Sequence, residues 1–166
     1  MYQKPPAENP NLFYGYTNTT FTNTDDYKST LGYVFLSGGG AITWRSKKQT
    51  TIALSLTEAE YVALSEVGWE ACWLRNLYDE LSQRQRGPTL ILGDNDGSIA
   101  MVKNPQFHKR SKHIATCWHW VRDLVEEGII EVGSCRDPEQ TADILTKALA
   151  RPKHKKHMQE MGLVLT

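Results

Sequence analysis

The 166-residue chain is short of most features that assign a protein at sight. It has no apolar run approaching the roughly 18 residues that cross a bilayer, which excludes a helical membrane span. The opening Met1-Tyr-Gln-Lys-Pro-Pro contains no apolar stretch of secretory-leader type. There are only three cysteines, Cys72, Cys117 and Cys135, far apart and without a C-x-x-C pair. They read as reduced thiols of an intracellular protein, not as a disulfide framework or a zinc site. An excess of one charge is missing too: 19 Lys and Arg face 19 Asp and Glu, so no global field draws in a polyanion. No internal repeat or low-complexity tract is present.

What is present is ordinary in amount and uneven in place. A composition of 40% hydrophobic and 23% charged residues at this length suits one compact domain with a sizeable core. Residues 1–11 carry three prolines and read as a linker or the remnant of a longer chain, which leaves 12–166 as a single domain. Lys103, Lys109, Arg110 and Lys112 lie in an acid-free block bounded by Lys103 and His113. Arg151, Lys153, Lys155 and Lys156, with His154 and His157 among them, form a second such block. Blocks of this kind are most often solvated faces, but they are also what a phosphate-contacting surface requires.

Periodicity gives the elements. Leu12–Thr20, Leu31–Ser37 and Ala41–Arg45 are rich in aromatic and β-branched residues and predict three strands, with Gly38-Gly39-Gly40 as a turn. Thr57-Glu58-Ala59-Glu60 fits a capping box opening a helix to about Gln83, whose apolar stripe is Ala63, Val67, Ala71, Leu74, Leu77 and Leu81. Thr89–Asp94 and Ile129–Ser134 predict two more strands. Helices are expected at 98–103, 111–127, 138–149 and 152–161. Three antiparallel strands followed by alternating helix and strand indicate an α/β fold, a mixed five-stranded sheet with helices on its faces.

Three acids stand at element ends. Asp94 closes an apolar strand, Glu60 sits in the first turn of the long helix, and Asp143 lies in Gln140-Thr-Ala-Asp143. Each has a plain structural explanation as a cap or surface charge. A carboxylate at the tip of a buried strand is otherwise exposed or holds a cation.

The surrounding motifs connect them. G-Y-V-F-L-S-G-G-G-A-I-T-W at 32–44, S-K-K-Q at 46–49 and S-L-T-E-A-E-Y at 55–61 come first. D-N-D-G-S-I-A at 94–100, N-P-Q-F-H-K-R-S-K-H-I at 104–114 and E-Q-T-A-D-I-L-T-K-A-L at 139–149 follow. In order and spacing this series resembles the ribonuclease H domain of Ty1/copia retrotransposon polyproteins. The resemblance implies the ribonuclease H-like fold with strand order 3-2-1-4-5. It also implies four acids that hold two Mg²⁺ ions, with Mn²⁺ as substitute.

Carried over by motif, the second acid falls on Glu60, with Glu58 the rival given the capping role. The third falls on Asp94 and the fourth on Asp143. The first belongs in a segment that the family writes G-Y-S-D-A-D-W-A. Here it reads Gly15-Tyr-Thr-Asn18-Thr-Thr-Phe-Thr22, so the ligand position is an asparagine. Two divalent ions activate water and neutralise charge on the transferring phosphoryl group, and the strand carboxylate would bridge them. Asn18 offers a neutral carbonyl in the same volume, whether by deliberate inactivation or natural decay. Asp25 and Asp26 fall in the following loop and do not substitute.

The substrate implied is an RNA/DNA hybrid read by shape and backbone. Lys109, Arg110 and Lys112 are expected to meet phosphates, and Thr57, Asn95 and His113 to adjoin the backbone. The further expectations are an upstream reverse transcriptase domain in the same polyprotein, no membrane association, a monomeric isolated domain, and residence in cytoplasm, virus-like particles or the nucleus. Two functional classes stay open: a hybrid-cleaving endonuclease impaired by Asn18, and an inactive hybrid-binding or structural module.

Overall fold

The computed structural model describes residues 12–20, 27–50, 52–94 and 112–164. Strands β1 (Tyr14–Thr20), β2 (Thr30–Ser37) and β3 (Gly40–Lys48) form an antiparallel meander. Strand β4 (Thr89–Gly93) pairs parallel to β1, and β5 (Ile130–Ser134) parallel to β4. The resulting mixed sheet has the order β3-β2-β1-β4-β5, as expected. Three α-helices accompany it among the described residues: α1 (Leu56–Glu80), α2 (Lys112–Glu126) and α3 (Arg151–Glu160). The helix expected at 98–103, the linker or remnant expected at 1–11, and Asp25 and Asp26 fall outside the described residues.

Strand alternation divides the interior in two. Phe13, Leu31, Tyr33 and Phe35 turn toward α1 and α2, where Tyr61, Leu64, Val67, Val121 and Leu124 complete the main core. Phe13 and Phe35 meet edge-on with ring centroids 6.0 Å apart. Gly15 permits this, because a Cβ there would lie 2.7 Å from the Phe35 ring. Val34 and Leu36 turn the other way and meet Met161, with Ile144 and Leu145 packed against them. Chain passing between sheet and solvent on that side consists of two short 3-10 turns, Asp137–Glu139 and Thr141–Leu145, and then α3.

Two expectations are corrected. The helix expected over 138–149 is not α-helical; it is the pair of 3-10 turns broken at Gln140. The Gln140 side chain is fully buried; its amide donates to the Thr17 carbonyl (3.1 Å) and its carbonyl accepts from Ala142 N–H (3.3 Å). Those bonds hold Gln140 extended, at φ −76° and ψ 91°, where a continuous helix needs a helical residue. The second correction is the cap of α1. The N-cap is Ser55, whose Oγ accepts from Glu58 N–H (3.2 Å), while the Glu58 carboxylate accepts from Leu54 N–H (2.7 Å). The capping box therefore lies two residues earlier than Thr57–Glu60, and Glu60 is left free of the cap.

Candidate active site

At the tip of β1 the strand runs between the two layers. Asn18 is buried and faces the C-terminal layer, opposite Gly32 in the β1–β2 register. Gly32 is required there: a Cβ would come within 2.8 Å of Leu145 Cβ and 2.7 Å of Thr146 Cγ2. Without one, the turn Thr141–Leu145 lies directly on the sheet, and fully buried Asp143 meets Asn18. Asn18 Nδ2 donates to Asp143 Oδ1 and also to Thr146 Oγ1, the latter at 3.1 Å.

Glu60 reaches the same point from the other layer. One turn into α1 and only 2% exposed, it accepts the Thr19 backbone N–H at 3.1 Å, an amide that also donates to Asn18 Oδ1 at 2.7 Å. Burial, and next the charge of Asp94, push its carboxyl up to about 8. Asp94, at the surface immediately beyond β4, is itself raised, first by partial desolvation of its carboxyl and then by the charge of Asp143. Lys147 opposes both shifts. Asn18, Glu60, Asp94 and Asp143 are thus in one electrostatic neighbourhood. Among the described residues, no three His, Cys, Asp or Glu side chains gather as a metal-holding group.

No family model matches the chain. It is 38% identical over 150 residues to the Retrovirus-related Pol polyprotein from transposon TNT 1-94 of Nicotiana tabacum, a match covering 90% of the chain and 11% of that protein. It is 39% identical over 139 residues to the corresponding polyprotein from transposon RE1 of Arabidopsis thaliana, over 84% of the chain and 10% of the relative. The Transposon Ty1-JR1 Gag-Pol polyprotein of Saccharomyces cerevisiae is 28% identical over 151 residues, 89% of the chain and 8% of the relative. This chain is an RNase H-like domain homologous to Ty1/copia retrotransposon Pol polyproteins. Solved structures agree on the fold. RNase H1 from Halobacterium salinarum superposes with a TM-score of 0.58 at 14% identity, over 81% of this chain and 93% of that one. LC11-RNase H1 in complex with RNA/DNA hybrid gives 0.58 at 12% identity, over the same shares. The RNase H-like domain spans about one tenth of the length of the polyproteins it matches.

Thr57 is half-buried in the first turn of α1. Asn95, Lys109 and Arg110 lie outside the described residues, as do the side chains of Lys112 and His113. Among the described residues no helix is long and apolar enough to cross a membrane. Cys72, Cys117 and Cys135 are free.

Three residues that sequence reasoning passed over shape the site of the RNase H-like domain. Gln49 is 1% exposed; its amide donates to the Ala59 carbonyl (2.7 Å) and its backbone N–H to Ser29 (2.8 Å). It ties the end of β3 to the turn of α1 that carries Glu60. Lys147 lies 2.9 Å from Asp143 Oδ1, and Lys153 lies 2.5 Å from Asp143 Oδ2 and 2.8 Å from Asp137 Oδ1. Lys147 was visible only as a letter of the T-K-A-L motif. Lys153 belonged to the second basic block, which is therefore not a uniform outward surface: Lys156 also turns to the Pro138 carbonyl and to Glu160.

Proposed function

We propose that this domain hydrolyses the RNA strand of RNA/DNA hybrids by Mg²⁺-dependent phosphodiester cleavage during retrotransposon reverse transcription, and that Asn18 impairs it. The observation that carries the reading is the joining of Asp143 and Glu60 to Asn18 at the tip of β1, Asp143 by the Asn18 amide and Glu60 through the shared Thr19 N–H, in a chain homologous to Pol polyproteins.

The donor chemistry of Glu60 and Asp94 fits a hard divalent cation. Both are oxygen donors, and each raised carboxyl is destabilised as an anion by burial and by a neighbouring acid. Asp143 and the Asn18 carbonyl would complete the set. Bound there, magnesium would supply a polarised water and counter-charge for the transferring phosphoryl group. The chain's own residues do the rest. The Thr19 N–H orients Glu60, Gln49 fixes the helix turn beneath it, and the Thr141–Leu145 turn holds Asp143 against β1. LC11-RNase H1 was solved in complex with RNA/DNA hybrid. On the same fold, Lys109, Arg110 and Lys112, with Thr57, Asn95 and His113, would contact the backbone of such a duplex here. The reverse transcriptase domain of a longer polyprotein would be the covalent neighbour.

One observation favours a second reading, an inactive hybrid-binding module. Asn18 donates a hydrogen bond to Asp143, where a carboxylate would offer a second negative ligand. Glu60, Asp94 and Asp143 would then offer three formal negative charges to bound magnesium in place of four, the missing one being that of residue 18. A labelled hybrid incubated with and without Mg²⁺ decides between them. The Asn18 chain is expected to cleave poorly or not at all, and Asn18→Asp to gain Mg²⁺-dependent cleavage of about 10²-fold or more. Robust turnover by the Asn18 chain would show the bridging charge to be dispensable. An Asn18→Asp variant that binds hybrid yet stays inert would leave the binding-module reading standing.

A further inference from the structure

Asp143 is 0% exposed, yet both its oxygens are already engaged. Oδ1 accepts the Asn18 amide and faces Lys147 Nζ at 2.9 Å; Oδ2 faces Lys153 Nζ at 2.5 Å. Lys153 is also fixed from its other side by Asp137 at 2.8 Å, so one ammonium is held between two carboxylates. A surface ion pair of this kind would contribute little. Here one partner is entirely out of water, and such an anion persists only with its counter-charge in place. The lone pairs that a dication would need are turned toward N–H donors. Asn18 fits this arrangement, since an amide can donate to Asp143 where a carboxylate would repel it.

We infer that Lys153, assisted by Lys147, is a built-in counter-cation that occupies the Asp143 corner of the site in place of a second divalent ion. This rests on the metal-dependent reading above and adds to it a specific competition. On that reading Glu60 and Asp94 would hold a first ion, whereas a divalent ion reaches Asp143 only by displacing an ammonium. Lys153 matters more than Lys147 because its side chain is the less exposed, 25% against 40%, and is held by a second acid.

The test is calorimetric Mg²⁺ titration of the chain and of Lys153→Met, with melting temperatures in chelator and in excess Mg²⁺. Lys153→Met is expected to bind Mg²⁺ on the order of tenfold more tightly, or to take up an additional ion. It should melt below the parent in chelator and recover in Mg²⁺, as linkage requires of an ion that replaces a lost charge. Lys153→Arg keeps the charge and should follow the parent in both measurements. Should Lys153→Met not fold in chelator, Lys147→Met gives the same comparison at the more exposed lysine. Equal Mg²⁺ uptake by parent and both Met variants overturns the inference and leaves the metal-dependent reading intact. No uptake by any of them, at any concentration, overturns that reading and the inference together.

Discussion

On the side of the sheet covered by α1 and α2, the interior is Phe13, Leu31, Tyr33 and Phe35 against Tyr61, Leu64, Val67 and Leu124. On the other side the buried apolar cluster shrinks to Val34, Leu36 and Met161. There Asn18, Gln140, Thr141, Asp143 and His157 take up the remaining interior. The contrast is one of physical demand. Apolar burial is non-directional and grows with area, so the first side stabilises the fold without fixing any single angle. A buried amide or carboxylate must find each of its partners, so the second side fixes the position of Asp143 while adding little apolar area. The site lies where the two meet, with Glu60 drawn from the first side and Asp143 from the second.

The largest effect should come from damaging the apolar side. Phe35 is fully buried between Phe13 and Tyr33, with centroids 6.0 and 6.1 Å away. Phe35→Ala is expected to cost about 3–5 kcal/mol in urea unfolding. A loss below about 1 kcal/mol would mean that the apolar side does not carry the stability, and the contrast would fail. Next comes Gly32→Ala, on the polar side. Its new Cβ would meet Leu145 Cβ at 2.8 Å and the Ala142 carbonyl at 3.2 Å, pushing the Asp143 turn off the sheet. The expected cost is about 1–3 kcal/mol. The sharper readout is the amide resonance of Asn18, which should lose the shift due to Asp143. An Asn18 signal unchanged in Gly32→Ala would show that the turn is not seated through this glycine.

How much of this was legible follows the same division. The five strands and α1 announce themselves because apolar residues recur at the period of each element, and the family motifs supply the strand order. Strand edges and helix ends moved by a few residues: α1 stops at Glu80, short of Gln83. The segment 138–149 has helical composition, and nothing in its letters shows that the Gln140 amide will bond to Thr17, 123 residues away. The capping box was displaced because Ser55–Glu58 and Thr57–Glu60 satisfy one spacing rule, and only the structure shows which oxygen receives the amide. Lys153 sits in a row of basic residues, and a row of charges does not reveal which one turns inward. Non-directional packing leaves a periodic trace in sequence; individual long-range polar bonds leave none.

Glu60 provides a test that separates the two sides by pH. Its folded carboxyl keeps its proton up to about pH 8, against an ordinary value of 4.5 when unfolded. Between those values the folded state binds more protons than the unfolded state, so metal-free stability should fall as pH rises from about 5 to 8. For one proton the slope is at most about 1.4 kcal/mol per pH unit. Glu60→Gln should flatten this dependence, and Mg²⁺ should flatten it for the parent by favouring the ionised carboxylate. Melting temperatures that rise over that range, in the parent without metal, would contradict the placement of Glu60 in a buried acidic neighbourhood.

The smallest effect concerns the boundary of α1. Ser55 accepts the Glu58 N–H and Glu58 reaches back to Leu54, so the pair satisfies two groups that the helix start would otherwise leave open. Both residues lie at the surface, where water can replace part of the lost bonding. Ser55→Ala should therefore cost only about 1 kcal/mol. Thr57 is already inside the helix, and Thr57→Ala should change stability by less than about 0.5 kcal/mol. The ordering matters more than either number, because it reports which acid is free for chemistry. With the cap on Ser55, Glu58 is committed to the helix end and Glu60 remains available to Thr19 and a cation. With the cap on Thr57, Glu60 would be the committed acid and Glu58 the free one. Paired urea titrations of the two variants decide this, and a larger loss for Thr57→Ala would transfer the ligand assignment from Glu60 to Glu58.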